Sequence, residues 1–211
     1  MVSLKADLLI AAPMNMRFSR EVEYVKASRL LGVRSVTPIF SWDNLTTKGV
    51  MHVITDRVLV WNRTQEYEAV VYNSIQKDSV RVTGALLFDK WFLSRPVLSR
   101  ETFCRTYGLN STKPFILYLG SSRNIAHDET WLIENLREAL IVGGLSHMQI
   151  VVRPHLAHFR IYEQLNMPNV FIVPKEGGLP STKDSLQLFS DTLHHAACVV
   201  GVNTSAMIDA V

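Results

Sequence analysis

Short apolar runs alternate along this chain with longer stretches in which apolar residues recur every three to four positions. The short runs predict buried β-strands, and the longer stretches predict amphipathic helices. Strands that alternate with helices are typical of βαβ units, so we predict an α/β protein with parallel sheets. In the first half the pattern predicts strands over 7–12, 34–40, 56–61 and 79–83, and helices over 20–31 and from 64 to about 75.

A turn-rich polar stretch, Asn110-Ser-Thr-Lys-Pro114, interrupts this alternation and predicts a domain boundary. We therefore predict two domains, residues 1–112 and residues 113–211. After the boundary the alternation starts again. In the second half it predicts strands over 115–120, 149–153, 170–173 and 198–201, and helices over 128–142, 159–165, 184–195 and from 204 onward.

Polar and basic side chains follow three strands of the second half, at the carboxyl edge of the predicted sheet. Ligands of open α/β sheets bind beyond this edge. Guanidinium groups, hydroxyls and the N–H groups at a helix start suit the phosphates of a nucleoside diphosphate. The predicted phosphate site consists of Ser121, Ser122 and Arg123 after the first strand, Arg153 and His155 after the second, and Asn203, Thr204 and Ser205 after the last.

Each part of this phosphate site also has a purely structural explanation. Residues 203–205 are ordinary helix-capping types, and Arg123 could be a plain surface residue. Arg153-Pro-His155 is more suggestive of a function, because a charged pair directly after an apolar strand is costly, but it could also be structural. Asp209 lies about one helical turn beyond 204–205, where a carboxylate could meet ribose hydroxyls.

A loop that follows a strand in the first half carries a second group of candidates, Ser41-Trp-Asp-Asn44. Asp43 could act as the general base that deprotonates an acceptor hydroxyl, and Trp42 could stack on a sugar face. The alternative is an ordinary turn, because Asp-Asn is common in turns and Trp42 could belong to the core.

Composition excludes several classes of function. The 211 residues carry a net charge of +3 and show no run of Lys or Arg, which argues against nucleic-acid binding. Cys104 and Cys198 lack metal-site spacing, so we predict no metal and a reducing, cytoplasmic environment. The apolar run 6–13 is too short for a membrane span or a signal peptide. Glycine-rich fingerprints of nicotinamide and P-loop sites do not occur.

Several segments together resemble GT-B-fold proteins: 82–84, 88–89, 116–119, 153–155 and 201–210, in that order. The chain is similar, from about residue 34 on, to non-hydrolysing UDP-GlcNAc 2-epimerases. It is also similar to glycosyltransferase-like and CDP-glycerol glycerophosphotransferase-like proteins of surface-carbohydrate synthesis. The resemblance implies two Rossmann-like domains of GT-B type, both incomplete in this chain.

The resemblance also implies roles for individual residues. The helix start at 203–205 would hold the diphosphate, and Arg153 and His155 would face it. Asp209 stands where these families have a ribose-binding Glu, and the loop 174–183 would lie near the base. The nucleotide-sugar would be the substrate, and no separate cofactor is implied.

The resulting hypothesis is a metal-independent, nucleotide-sugar-dependent glycosyltransferase of surface polysaccharide or glycoconjugate synthesis. In it, Arg153 and His155 stabilise the leaving nucleoside diphosphate and Asp43 is the base. The acceptor would be a carbohydrate or a lipid-linked molecule, and the enzyme would be cytoplasmic or peripheral to the inner face of the membrane. Alternatives are a CDP-glycerol glycerophosphotransferase, a UDP-sugar 2-epimerase, or a non-catalytic fragment that binds a nucleotide or phosphosugar.

Overall fold

The chain forms two units, Met1–Lys90 and Trp91–Val211. The structure is a computed structural model that describes residues 5–15, 19–176 and 182–211. Each unit contains a four-stranded parallel sheet with helices, which confirms the predicted α/β class. The division between the units lies upstream of the predicted boundary at 112/113.

The first unit is built on a sheet in which four strands follow one another in chain order. Residues such as Val58 and Val60 alternate with more exposed neighbours, so that one face of the sheet forms the core. Its strands are β1 (Leu8–Ile10), β2 (Arg34–Pro38), β3 (Arg57–Val60) and β4 (Val80–Val82). Its α-helices are α1 (Glu21–Leu30) and α2 (Arg63–Val71), and its 3-10 helices are Lys77–Ser79 and Leu86–Phe88. Helix α3 (Asp89–Leu93) contains the division between the two units, which falls after Lys90.

The second unit has the strand order β7-β6-β5-β8, with all neighbours parallel. Its strands are β5 (Phe115–Leu119), β6 (Gln149–Arg153), β7 (Val170–Ile172) and β8 (Cys198–Gly201). Its helices are α4 (Arg100–Tyr107), α5 (Thr130–Val142), α6 (Lys183–His195) and the 3-10 helices Leu156–Tyr162 and Ser205–Ala210.

Both faces of the second sheet are covered, which explains why β5 and β6 are continuous apolar runs. Helix α5 packs Ile133 against Ile116 and Tyr118 on one face. Helix α6 packs Phe189 against Leu117 on the other face. The chain therefore crosses from one face of the sheet to the other between β6 and β8.

Helix α4 belongs to the second unit because its apolar side chains complete the core of that unit. Phe103 and Cys104 are fully buried, and they share a hydrophobic cluster with Phe115 and Phe189. The ring of Phe103 stacks on that of Phe115, with 6.0 Å between centroids. The turn-rich stretch at 110–114 is therefore a connection within one core.

Two predicted helices take a different form. The segment predicted as a helix over 159–165 is a 3-10 segment, Leu156–Tyr162, that is kinked at His158. The last segment is a six-residue 3-10 helix, Ser205–Ala210. Both segments are short and have the i→i+3 hydrogen bonds of a 3-10 helix. Neither is therefore the start of a longer α-helix, with its free N–H groups and its dipole.

Candidate functional site

The carboxyl edge of the second sheet brings together the turns that follow β5, β6 and β8. Strand β5 pairs with β6 on one side and with β8 on the other. The chain thus leaves β5 in one direction and later returns to its opposite side, which defines a topological switch point between β5 and β8. Ligands of open parallel sheets bind in the crevice outside such a point.

A glycine lies in the turn on each side of this switch point. A Cβ added to Gly120 would lie 2.6 Å from the Tyr162 hydroxyl oxygen and 3.3 Å from the Arg153 carbonyl oxygen. A Cβ added to Gly201 would lie 2.9 Å from the Leu119 carbonyl oxygen. Neither turn has room for a side chain, so both hold the backbone closely packed at the edge.

Ser121 connects the turn after β5 to other parts of the protein. It is fully buried, and its N–H donates to the carboxylate of Glu129, at 3.0 Å from Oε1 and 3.2 Å from Oε2. Its Oγ accepts from the N–H of Asn203 at 3.5 Å, so it also reaches the turn after β8. In this structure the N–H of Ser121 is directed at Glu129 and away from the crevice.

Arg153 ends β6, and its side chain lies beneath the edge. It is only 5% exposed, and its Cζ lies 4.5 Å from the centroid of the Phe189 ring. Burial lowers the pKa of Arg153 to about 10, which leaves the guanidinium charged at neutral pH. A cation over an aromatic ring is a favourable contact. The guanidinium of Arg153 therefore has a packing role, in addition to the phosphate-binding role predicted from the sequence.

His155 is half-buried at the start of the 3-10 helix Leu156–Tyr162. Its Nδ1 accepts from the N–H of Ala157 at 3.1 Å, so in the neutral ring the proton resides on Nε2. Burial and the neighbouring His158 lower the pKa of His155, although Glu129 opposes the shift. His155 is therefore a neutral side chain with an Nε2–H donor at neutral pH.

The turn after β8 carries the three predicted phosphate-binding residues 203–205. Asn203 is exposed, and Thr204 caps the following 3-10 helix through its Oγ1, which accepts from Ala206 N–H at 3.4 Å. Asp209, the predicted ribose ligand, lies on that helix. Its Oδ1 accepts from the indole N–H of Trp91 at 2.6 Å. This carboxylate therefore binds the side chain of a residue in α3, at the start of the second unit.

Ser122 and Arg123 lie further along the turn after β5. The Ser122 carbonyl accepts from the N–H groups of Ile125 and Ala126, which gives the turn a local fold. Arg123 is exposed and lines an open depression of about 580 Å³, together with His127, His158 and Arg160. Of the predicted base-binding loop 174–183, residues 177–181 lie outside the described residues.

Asp43, in the first unit, is held by three neighbours within its own loop. Its carboxylate accepts from the Ser41 hydroxyl at 2.6 Å and the Thr47 hydroxyl at 3.2 Å, and lies 3.2 Å from the Lys48 ammonium. Partial burial raises the pKa of Asp43, but the contacts with Ser41, Lys48 and Thr47 together hold that pKa below its ordinary value. Asp43 is therefore ionised at neutral pH and is a weaker base than an ordinary carboxylate.

The substitution Lys48→Met is expected to raise the pKa of Asp43, because it removes both a charge and a hydrogen-bond donor. The pKa would be measured by NMR titration of the side-chain carboxyl carbon. Lys26→Met is the matched control, since Lys26 pairs with Glu23 elsewhere in the unit. An Asp43 pKa that moves equally in both variants would contradict the assigned role of Lys48.

An apolar cavity lies at the carboxyl edge of the first sheet. Its volume is about 310 Å³, and its lining includes Phe40, Leu59, Trp61 and Leu86. The Trp61 ring is fixed by its N–H, which donates to the Ile39 carbonyl at 2.7 Å. The cavity is of a size that suits a small ligand or part of a larger one.

Comparison with known proteins identifies the fold. No protein-family model and no curated protein matches the sequence. The structure is similar to UDP-GlcNAc 2-epimerase from Neisseria meningitidis bound to UDP-GlcNAc, with a TM-score of 0.66, 12% identity, and 98% of this chain covered. The epimerase from Methanocaldococcus jannaschii gives a TM-score of 0.64 at 13% identity over 99% of this chain. The S. aureus MnaA–UDP co-structure gives 0.65 at 12% identity over 98%.

The chain has the GT-B type of fold, with two Rossmann-like units. At such identities the similarity concerns the fold, and in this respect the resemblance predicted from the sequence is confirmed. The chain spans 57%, 59% and 55% of the length of these three proteins, respectively.

The sequence did not reveal the buried residues that connect the turns at the carboxyl edge of the second sheet. Glu129, Tyr118 and Tyr162 form a buried hydrogen-bonded cluster beside Gly120. An acidic residue at a helix start looks like an ordinary first-turn charge, and the two tyrosines look like core residues. Their one sequence signal is the hydroxyl that each tyrosine carries into an apolar segment, since a buried hydroxyl needs a partner.

The structure also bears on metals and membranes. Within residues 5–15, 19–176 and 182–211, no three His, Cys, Asp or Glu side chains lie close enough together to hold a metal ion. Over the same described residues, no helix combines the length and apolar character that crossing a bilayer requires.

Proposed function

We propose that this chain belongs to a nucleotide-sugar-dependent glycosyltransferase of the GT-B type that acts in surface polysaccharide or glycoconjugate synthesis. The observation that carries the proposal is the switch point between β5 and β8, where closely packed turns, His155 and residues 203–205 share one edge. A UDP-GlcNAc 2-epimerase of the same fold has been solved with UDP-GlcNAc, and S. aureus MnaA has been solved with UDP, which supports a nucleotide-sugar as the ligand.

In the proposed reaction the bond between the sugar and the diphosphate breaks while the acceptor oxygen bonds to the sugar. Negative charge then develops on the leaving diphosphate. The Nε2–H of His155 and the backbone donors after β8 would stabilise that charge. Asp43, which is ionised at neutral pH, would take the proton of the acceptor hydroxyl. The apolar cavity of the first unit supports an acceptor that carries an apolar group.

The second candidate is a UDP-sugar 2-epimerase, which two of the similar structures favour. The products of incubation with UDP-GlcNAc separate the two reactions. A transferase releases UDP only when an acceptor is present, whereas an epimerase converts the donor to its 2-epimer and leaves the diphosphate attached. Conversion of CDP-glycerol alone would identify a glycerophosphotransferase, and nucleotide binding without turnover would identify a binding module.

Saturating UDP is expected to raise the melting temperature of the chain, and His155→Ala is expected to reduce that rise. A ligand at 100 times its Kd stabilises the native state by about 2.7 kcal/mol, which is several degrees for a chain of this size. Differential scanning fluorimetry with UDP, CDP and GDP would measure the shift and rank the bases.

His147→Ala is the matched control, because His147 is exposed and precedes β6, at the opposite edge of the sheet. It should leave the nucleotide-induced rise unchanged. If no nucleoside diphosphate raises the melting temperature of the unaltered chain, the proposed nucleotide site is wrong. An unchanged rise in His155→Ala would remove His155 from the site.

A further inference from the structure

Glu129 is a fully buried acidic residue directly before helix α5, at the carboxyl edge of the second sheet. A carboxylate in such a place is costly unless several donors compensate for the water it has lost. Apolar side chains would fill the same space at lower cost. The position of Glu129 therefore calls for an explanation beyond packing.

Three donors from separate segments are directed at Glu129. The Tyr118 hydroxyl, from β5, lies 2.9 Å from Oε2, and the Tyr162 hydroxyl, from the 3-10 helix that follows His155, lies 3.3 Å from it. The third donor is the N–H of Ser121, in the turn after β5. Burial, together with the neighbouring Glu129, raises the pKa of both tyrosines, so both remain protonated donors at neutral pH.

These contacts join the turn after β5 to Tyr162, at the end of the kinked 3-10 segment that follows His155. The Tyr162 hydroxyl lies so close to Gly120 that a Cβ there would be 2.6 Å from it, and the N–H of His155 would be 3.3 Å from the same Cβ. Ser121 in turn accepts from Asn203 N–H, which extends the connection to the turn after β8. The three turns of the candidate site thus depend on one buried carboxylate for their spacing.

We propose that Glu129 is a positioning residue of the nucleotide site, an inference that rests on the proposed function. Glu129 sets the distance between the turn after β5 and His155. Its carboxylate also accepts the hydrogen bond of the Ser121 N–H. A diphosphate in the crevice therefore takes its backbone donors from the turn after β8, and Ser121 is not one of its ligands.

The substitution Glu129→Gln tests this role because it keeps the shape of the side chain. An amide can accept from Ser121 N–H through its oxygen, but its NH₂ group then faces the two tyrosine hydroxyls and leaves their protons without this acceptor. We expect the Kd for UDP, measured by isothermal titration calorimetry, to rise about tenfold or more. Hydrogen exchange at the Ser121 amide should accelerate, while exchange at the Leu117 amide in the core of β5 stays unchanged.

Leu140→Ala is the matched control for lost stability. Leu140 lies near the C-terminal end of α5 and belongs to the hydrophobic cluster that contains Tyr118 and Tyr162. Its truncation should therefore lower the melting temperature without altering the contacts of Glu129 at the carboxyl edge of the sheet. It should leave the Kd for UDP within about twofold of the wild-type value. Tyr118→Phe removes one donor and is the milder second variant, expected to weaken UDP binding in the same direction.

The outcomes separate the two proposals. If the wild-type chain binds no UDP, the proposed function and this inference both fail. If the wild-type chain binds UDP and Glu129→Gln and Tyr118→Phe bind it equally well, only the positioning role is overturned. If Leu140→Ala weakens UDP binding as much as Glu129→Gln does, the effect is one of general stability and the positioning role is again overturned. Protection of the Ser121 amide that rises on UDP binding by more than that of the Leu117 amide would overturn the exclusion of Ser121 from the ligands.

Discussion

A fragment that begins at Lys113 is expected to remain unfolded, whereas the fragment 91–211 is expected to melt cooperatively. The shorter fragment lacks helix α4, whose Phe103 and Cys104 are fully buried in the core of the second unit. Loss of one buried Phe side chain alone costs about 3–5 kcal/mol. Since a whole domain is stable by only about 5–15 kcal/mol, removing α4 and its neighbours exceeds what the unit can lose.

Polar contacts across the same junction add to this loss. The guanidinium of Arg100 donates to the carbonyls of Lys113 and His195, at 2.7 and 2.6 Å. The buried carboxylate of Asp191 accepts from the N–H of Val97 at 2.8 Å. In the shorter fragment Asp191 would be a buried charge without this donor, which is strongly unfavourable.

Circular dichroism during heating would measure both fragments. The fragment 91–211 with Phe103→Ala is the intermediate control, and its melting temperature should lie well below that of the unaltered fragment. If the fragment 113–211 melts as cooperatively as 91–211 and at a similar temperature, the second folding unit begins at the boundary predicted from the sequence.

The substitution Gly201→Ala is expected to destabilise the protein by about 1–3 kcal/mol and to abolish measurable UDP binding. The new Cβ would lie 2.9 Å from the backbone carbonyl of Leu119, its direct partner in the parallel pairing of β5 and β8. A strand backbone cannot move aside as the end of a flexible side chain can. The end of β8 must therefore shift from β5, and the turn that carries residues 203–205 shifts with it.

The matched control is another glycine substitution, Gly144→Asn. A Cβ at Gly144 would meet no described atom within 4 Å, and its φ of 74° is one that Asn tolerates. Its melting temperature should therefore change little and its UDP affinity should stay the same. Thermal melts and calorimetry with UDP measure both variants. A Gly201→Ala protein that keeps wild-type stability would show that the packing of this turn is looser than the structure indicates.

The location of the candidate site at the carboxyl edge of the second sheet was predictable from the sequence. The contacts that its individual residues make were less predictable. Strand ends follow from short apolar runs, so the placement of Ser121, Arg153 and Asn203 after strands of one sheet could be predicted. Which direction their side chains take depends on what packs beneath them. Arg153 lies over Phe189, and the N–H of Ser121 is directed at Glu129. The predicted roles of these residues in phosphate binding remain proposals.

Long-range pairings explain what the sequence could not predict. Asp209 accepts from Trp91, 118 positions earlier, and Tyr162 donates to Glu129 across 33 positions. Nothing in the local pattern around either carboxylate distinguishes these partners from solvent. The apolar face of α4 likewise shows that the helix packs on a sheet, but not on which of the two sheets.

The sequence by itself determined the α/β class, the alternation of strands and helices and the carboxyl edge where polar residues collect. These features depend on the local periodicity of apolar residues, which each segment carries within itself. Only the tertiary structure decided where one unit ends and the next begins, and that a buried Glu129 ties the turns of the candidate site together. Those features depend on contacts between segments far apart in the chain, and such contacts exist only after the sheet has assembled.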